Sequence, residues 1–182
     1  MLERLRIPFE VMPPDVDEST HEGESSETTA LRLSHAKADA IAGQRPDAVV
    51  IGSDQVAESN GRMLCKPGTH DNAVKQLRAL SGTVARFHSA VCVIAPQMNG
   101  TRRIQCETAT TTVLFRTLSD EEIDAYLRLE TPYDCVGSAK AESLGIALLA
   151  RVDSDDPTAL IGLPLIRLVT MLRAIEYAVL ST

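Results

Sequence analysis

The chain has 182 residues, 44% of them apolar and 24% charged, and a formal net charge of −7. That length allows one domain with a sizeable core or two small ones, and the composition is that of an ordinary globular protein. The acidic balance disfavours a surface tracking DNA or RNA phosphates, and with no Trp, three Phe and three Tyr there is little to stack on bases. A local basic pocket for one small phosphate ligand stays open.

No apolar run approaches the ~20 residues needed to span a bilayer. The start, MLERLR, is amphipathic and charged, unlike a signal peptide. Cys65, Cys92, Cys106 and Cys135 lie far apart without a C-x-x-C pair, which is neither a zinc knuckle nor a disulfide framework. These features predict a cytoplasmic protein with reduced thiols and no membrane partner.

In chain order, Leu2 and Leu5 look like the end of an amphipathic helix, although no cap or strand precedes them. Residues 7–11 (IPFEV) read as a short strand, and the acidic stretch 12–27, with Pro13 and Pro14, as a solvated loop. Thr28 or Thr29 can cap a helix running to Gly43, with Leu31, Ala38 and Ile41 on its inner face. Residues 48–53 (AVVIGS) form a buried strand candidate, and Gly61 should turn a hairpin into residues 63–65. A helix is predicted over 71–80, closed by Ser81-Gly82. Strands are predicted at 87–95, 107–115 and 145–150. A helix over 118–129 carries a capping box of Ser119 and Glu122, and a last helix spans 163–178 with Pro164 near its first turn. With no repeat, low-complexity segment or linker, the chain reads as a single α/β domain over residues 1–182 with a mixed sheet.

Four residues stand out for chemistry. Asp54 follows a β-branched run, and a carboxylate at the carboxyl end of such a strand opens into the crevice where α/β folds bind ligands. Lys66 leaves a second strand on a stiff Lys-Pro turn, and Lys37 lies on the helix after the acidic loop. Glu18 belongs to a DVDE cluster whose carboxylates could hold a divalent metal. Each, taken singly, more often fills a bland role: a turn cap, a solvated helix face, a solvated loop, a simple turn.

Taken in order, they resemble one family. Ala36-Lys37-Ala38, Ile51-Gly52-Ser53-Asp54-Gln55, Lys66-Pro67, Leu80-Ser81-Gly82, Val113-Leu114-Phe115-Arg116 and Leu160-Ile161-Gly162-Leu163-Pro164 look like the Maf-like nucleotide pyrophosphatases of the ITPase-like fold. The resemblance covers residues 2–173, nearly the whole chain. It implies an elongated, mixed central sheet flanked by helices, and hydrolysis between the α- and β-phosphates of a nucleoside triphosphate. It implies a divalent cation, Mg²⁺ or Mn²⁺, faced by Glu18 and Asp54, with Asp54 as proton acceptor for the attacking water. Lys37 and Lys66 would clamp phosphates, while Gln55 and Glu142 correspond to positions tied to base choice. The implied partner is a small nucleotide, not nucleic acid, and a homodimer is compatible with the resemblance.

The subgroup follows from the segment Cys135-Val136-Gly137-Ser138 and the Lys140-x-Glu142 after it, which resemble the members acting on 7-methyl-GTP. Members acting on dTTP and UTP usually carry Gly-Ile-Gln-Gly there instead. A carboxylate suits N7-methylguanine, because it accepts from the N1–H and N2–H₂ edge and offsets the ring's positive charge. An alternative role for Glu142 is a surface salt bridge with Lys140. One departure is notable: the family opens with a strand and a Ser-x-x-Arg-Arg loop cradling the triphosphate, ahead of the helix that ends here as Met1-Leu2-Glu3-Arg4-Leu5. This predicts a chain N-terminally truncated relative to the family and impaired in turnover. The rival reading is a non-catalytic nucleotide-binding protein acting in division control or signalling.

Overall fold

A computed structural model describes residues 1–96 and 101–180. Five strands form one sheet: β1 (Val50–Ser59), β2 (Arg62–Leu64), β3 (Val84–Ile94), β4 (Ile104–Phe115) and β5 (Leu149–Asp153), in the order β2-β1-β3-β4-β5. Four α-helices accompany it: α1 (Ser26–Ala42), α2 (His70–Leu80), α3 (Asp120–Glu130) and α4 (Leu165–Ala174). The α/β class is as expected, but the sheet is not mixed: every strand pairing among the described residues is antiparallel.

Alternation along the strands divides the core into two faces. Even-numbered residues of the paired strands, such as Gly52, Val50, Cys92 and Ile94, face α1, whose Ala38 and Ala42 join them in one cluster. Odd-numbered residues face the other helices. Val91 and Val93 pack on Leu165, Leu168, Met171 and Leu172 of α4, while Ala57, Phe87, Val113 and Phe115 pack on Leu77, Leu80, Ile123 and Leu127 of α2 and α3. Covered on both sides, the central strand β3 is almost continuously buried. Each fully buried Leu or Ile of these clusters contributes about 1.5–3 kcal/mol of transfer free energy.

Helix starts follow local chemistry. Ser119 accepts from the Glu122 N–H while the Glu122 side chain accepts from the Ser119 N–H, completing the expected capping box of α3. Thr69 caps α2 in the same manner through the Asn72 N–H. The cap of α1 is Ser25, which accepts from the Thr28 N–H, so this helix starts earlier than predicted and buries Ala30 and Leu33 rather than Leu31. The hairpin between β1 and β2 turns on Asn60 and Gly61, both at positive φ, as the tight Asn-Gly turn requires.

Three other expectations are corrected. Residues 7–11 form no strand, because no neighbouring strand offers them a ladder; Ile7 packs toward α4 and Glu10 pairs with Arg45. Residues 144–148 are a short 3₁₀ turn, and the last strand begins only at Leu149, because the Lys140 carbonyl accepts from both Ser143 and Gly145 N–H groups. Cys92 and Cys106, expected as reduced thiols, stand directly opposite each other on β3 and β4 and are joined as a disulfide. Cys65 and Cys135 are free. No helix among the described residues is long and apolar enough to cross a membrane.

Candidate active site on the open edge of β1

β1 is paired with β3 along its whole length, but β2 covers its other edge only from Ala57 to Ser59. Over residues 50–56 that edge has no strand partner among the described residues. Side chains from both faces of β1 can therefore reach the space beside it, and a polar cleft of about 560 Å³ lies there. Asp54 lies in mid-strand rather than at the strand's end, as the sequence had suggested; the open edge gives it access to the cleft.

The helix above supplies the cation. Thr29, Leu33 and Lys37 recur every four residues, so they form one stripe of α1, and all three line the cleft. Gly52 is what lets this stripe approach. A Cβ there would meet the Ser34 carbonyl oxygen at 2.3 Å and the Ala38 nitrogen at 2.6 Å. With the helix this close, Lys37 Nζ lies 2.7 Å from Asp54 Oδ1 and 2.8 Å from Glu18 Oε1. Lys37 and Asp54 side chains are only 18% and 11% exposed, so this ion pair is shielded from bulk water, whereas Glu18 is more than half exposed.

Burial opposes the charge on Lys37, but its bonds to Asp54 and Glu18 outweigh that and raise its pKa above the ordinary value. Glu18 is correspondingly held below the usual carboxylate range, chiefly by its bond to Lys37. Lys37 and Glu18 are therefore both charged at neutral pH. Glu18 and Asp54, the two expected metal-facing carboxylates, are thus brought together, with Lys37 between them.

Lys66 also lines the cleft, exposed and without an ion-pair partner among the described residues. Its turn is fixed on both sides: Gln76 Nε2 donates to the Cys65 carbonyl and Asn72 Nδ2 to the Pro67 carbonyl. Glu142 also lines the cleft, exposed. It makes no salt bridge with Lys140, whose ammonium lies 3.7 Å from Asp134 instead. All six residues singled out from the sequence, Glu18, Lys37, Asp54, Gln55, Lys66 and Glu142, border this one cleft.

Gln55 carries a structural load as well. Its Nε2 lies 2.8 Å from Ser89 Oγ, 3.1 Å from the Ala159 carbonyl and 3.2 Å from the Leu160 carbonyl. The Ser53 hydroxyl lies 2.9 Å from the Gly162 carbonyl. These bonds tie β1 to the 159–162 turn that forms another wall, and they occupy the amide nitrogen of Gln55. Sequence reading missed that tie, since nothing local links residue 55 to residues a hundred positions on. It also missed Thr29 and Leu33, which counting back in fours from Lys37 would have found. Cys135 lines the cleft too, but burial, with Asp134 beside it, pushes its thiol up to about 11, so it is no nucleophile at neutral pH.

Comparison with known proteins places the chain in a family. The family model of the Maf-like proteins matches residues 1–175. A "7-methyl-GTP pyrophosphatase" of Cupriavidus pinatubonensis is 58% identical over 177 residues, 97% of this chain and 87% of that protein. Proteins of the same name from Burkholderia lata and Albidiferax ferrireducens are 54% and 55% identical, each covering 100% of this chain, which spans 87% and 89% of their lengths.

Proposed function

Because the chain belongs to the Maf-like family, we propose that it is a nucleoside triphosphate pyrophosphatase that hydrolyses 7-methyl-GTP to 7-methyl-GMP and pyrophosphate. The observation that carries this reading is the Glu18–Lys37–Asp54 trio, in one cleft with the unpaired Lys66 and with Glu142. The names of the relatives support the choice of nucleotide.

Asp54 is the general base. Its carboxylate accepts a proton from water as that water's oxygen bonds to the α-phosphorus; the bond from the α-phosphorus to the bridging oxygen breaks, and pyrophosphate leaves with the electron pair. The Lys37 bond holds the Asp54 side chain oriented for this role. Lys37 and Lys66 both border the cleft as compact point charges suited to phosphate oxygens. Glu142, free of any protein partner described, would accept from the donor edge of the methylated guanine and offset its ring charge.

Glu18 and Asp54 fit a divalent cation, Mg²⁺ or Mn²⁺, because they offer hard carboxylate oxygens within reach of one atom, Lys37 Nζ. No group of three His, Cys, Asp or Glu ligands exists among the described residues, so water and phosphate oxygens would complete the shell. When bound, the cation would polarise the phosphates and neutralise developing charge.

The test is pyrophosphate release from 7-methyl-GTP, GTP, dTTP and UTP with Mg²⁺. The expected result is turnover confined to 7-methyl-GTP. Nucleotide binding without turnover would overturn the reading in favour of a non-catalytic binding protein.

A further inference from the structure

The loop that carries Glu18 and Thr20 into the cleft is gripped from behind by two residues that do not line it. Arg32, on α1, donates from Nε to Glu24 Oε1 at 2.8 Å and from Nη2 to Glu24 Oε2 at 2.8 Å. The same Nη2 donates to the Ser19 carbonyl at 2.9 Å. Glu24 Oε2 also accepts from the Thr29 hydroxyl at 3.1 Å and the His21 N–H at 3.3 Å.

This is a two-pronged grip with a third contact on the backbone, a geometry a planar guanidinium provides and an ammonium does not. The Glu24 side chain is only 8% exposed, so the pair is sheltered compared with an ordinary surface ion pair. The Arg32 bond brings the Glu24 carboxyl down to about 2, so the grip persists at any physiological pH. Ser19 adjoins Glu18, and its own N–H donates to Asp17 Oδ1, which tightens the turn just before it. Arg32 therefore fixes the backbone one residue away from the carboxylate that meets Lys37.

We propose that Arg32 and Glu24 are positioning residues: they hold the 17–20 turn over the cleft so that Glu18 stands beside Asp54. The role assigned to Glu18 in the proposed function is the premise. Arg32 makes no hydrogen bond to Lys37 or Asp54; its contacts are with the loop, and it reaches Asp54 only as a nearby positive charge.

The test is a double-mutant cycle of Arg32→Ala and Glu18→Gln. Its readouts are kcat/KM on 7-methyl-GTP at limiting Mg²⁺, and amide hydrogen exchange over residues 17–23 without nucleotide. Arg32→Ala should lower kcat/KM about tenfold in the parent and less than about twofold in the Glu18→Gln background, because coupled residues are not additive. It should also raise loop exchange about tenfold while exchange in β3 stays unchanged. Glu24→Gln, which breaks the grip from its other side, should reproduce both effects should Arg32→Ala fold poorly. Equal losses in the two backgrounds, or loop exchange that does not move, would overturn the proposal. If the parent does not turn over 7-methyl-GTP, the proposed function fails, and the exchange measurement still decides whether the grip exists.

Discussion

Two clefts lie along the same open edge of β1, and they differ in everything but the strand they share. The larger, about 680 Å³, lies beside residues 49–51 and is walled by Leu2, Ile7, Phe9, Ile41 and Leu172; at its rim Arg45 and Glu10 neutralise each other at 2.8 Å. The smaller, about 560 Å³, lies beside residues 53–56 and holds the Glu18–Lys37–Asp54 trio together with Lys66 and Glu142, which have no ion-pair partners among the described residues. Volume alone would choose the first. Chemistry chooses the second, because turnover of a phosphate anhydride needs cations that a ligand can recruit, and the one Lys or Arg among the described residues lining the first cleft, Arg45, is already paired with Glu10.

The contrast can be broken most sharply at Asp54. Asp54→Asn removes the proposed base, and turnover of 7-methyl-GTP should fall by ~10²–10⁴. Arg45→Ala in the apolar cleft removes only an exposed pair and should change the rate by less than about twofold. Comparable losses from the two would mean that both clefts serve the reaction.

Gly52→Ala tests the packing that separates the two regions. The new methyl group meets α1 backbone at 2.3 and 2.6 Å, so the helix must move away from β1 and take Lys37 with it. Overpacking of this kind destabilises by about 1–3 kcal/mol. A lowered Tm should therefore accompany a loss of activity, measured by thermal unfolding and pyrophosphate release. An active variant with lowered Tm would show that the Lys37–Asp54 distance is not critical.

The finest effect is expected at Glu142. Glu142→Gln keeps the shape and removes the charge, so the preference for 7-methyl-GTP over GTP should shrink about tenfold, the scale of one charge-assisted hydrogen bond. The ratio of kcat/KM values for the two nucleotides reads this directly. An unchanged ratio would move base choice to another wall of the cleft.

Much of this was legible from sequence wherever the signal is local. The Ser119–Glu122 box and the turn at Gly61 each act over a few residues and appear where their chemistry places them; the β-branched run before Asp54 also marks a strand, though one that continues to Ser59. The six site residues were found through motif order rather than spacing, and the fold brings them to one cleft. What stayed hidden depends on partners far along the chain. Residues 7–11 have a strand's alternation, yet alternation supplies no neighbour to pair with. The antiparallel sheet and the Cys92–Cys106 bridge are properties of register, which no single strand encodes. Arg32 looked like any charged helix residue, because its meaning lies in Glu24 and Ser19 on the preceding loop.

The most direct measurement is a backbone NMR titration of the Asp54→Asn variant with 7-methyl-GTP and Mg²⁺, in which substrate binds without being consumed. Shifts concentrated at Ser53, Gln55, Lys66 and Glu142 are expected, with the region around Phe9, Ile41 and Leu172 unmoved. Shifts centred on that apolar cleft instead would contradict the assignment of the active site to the polar one.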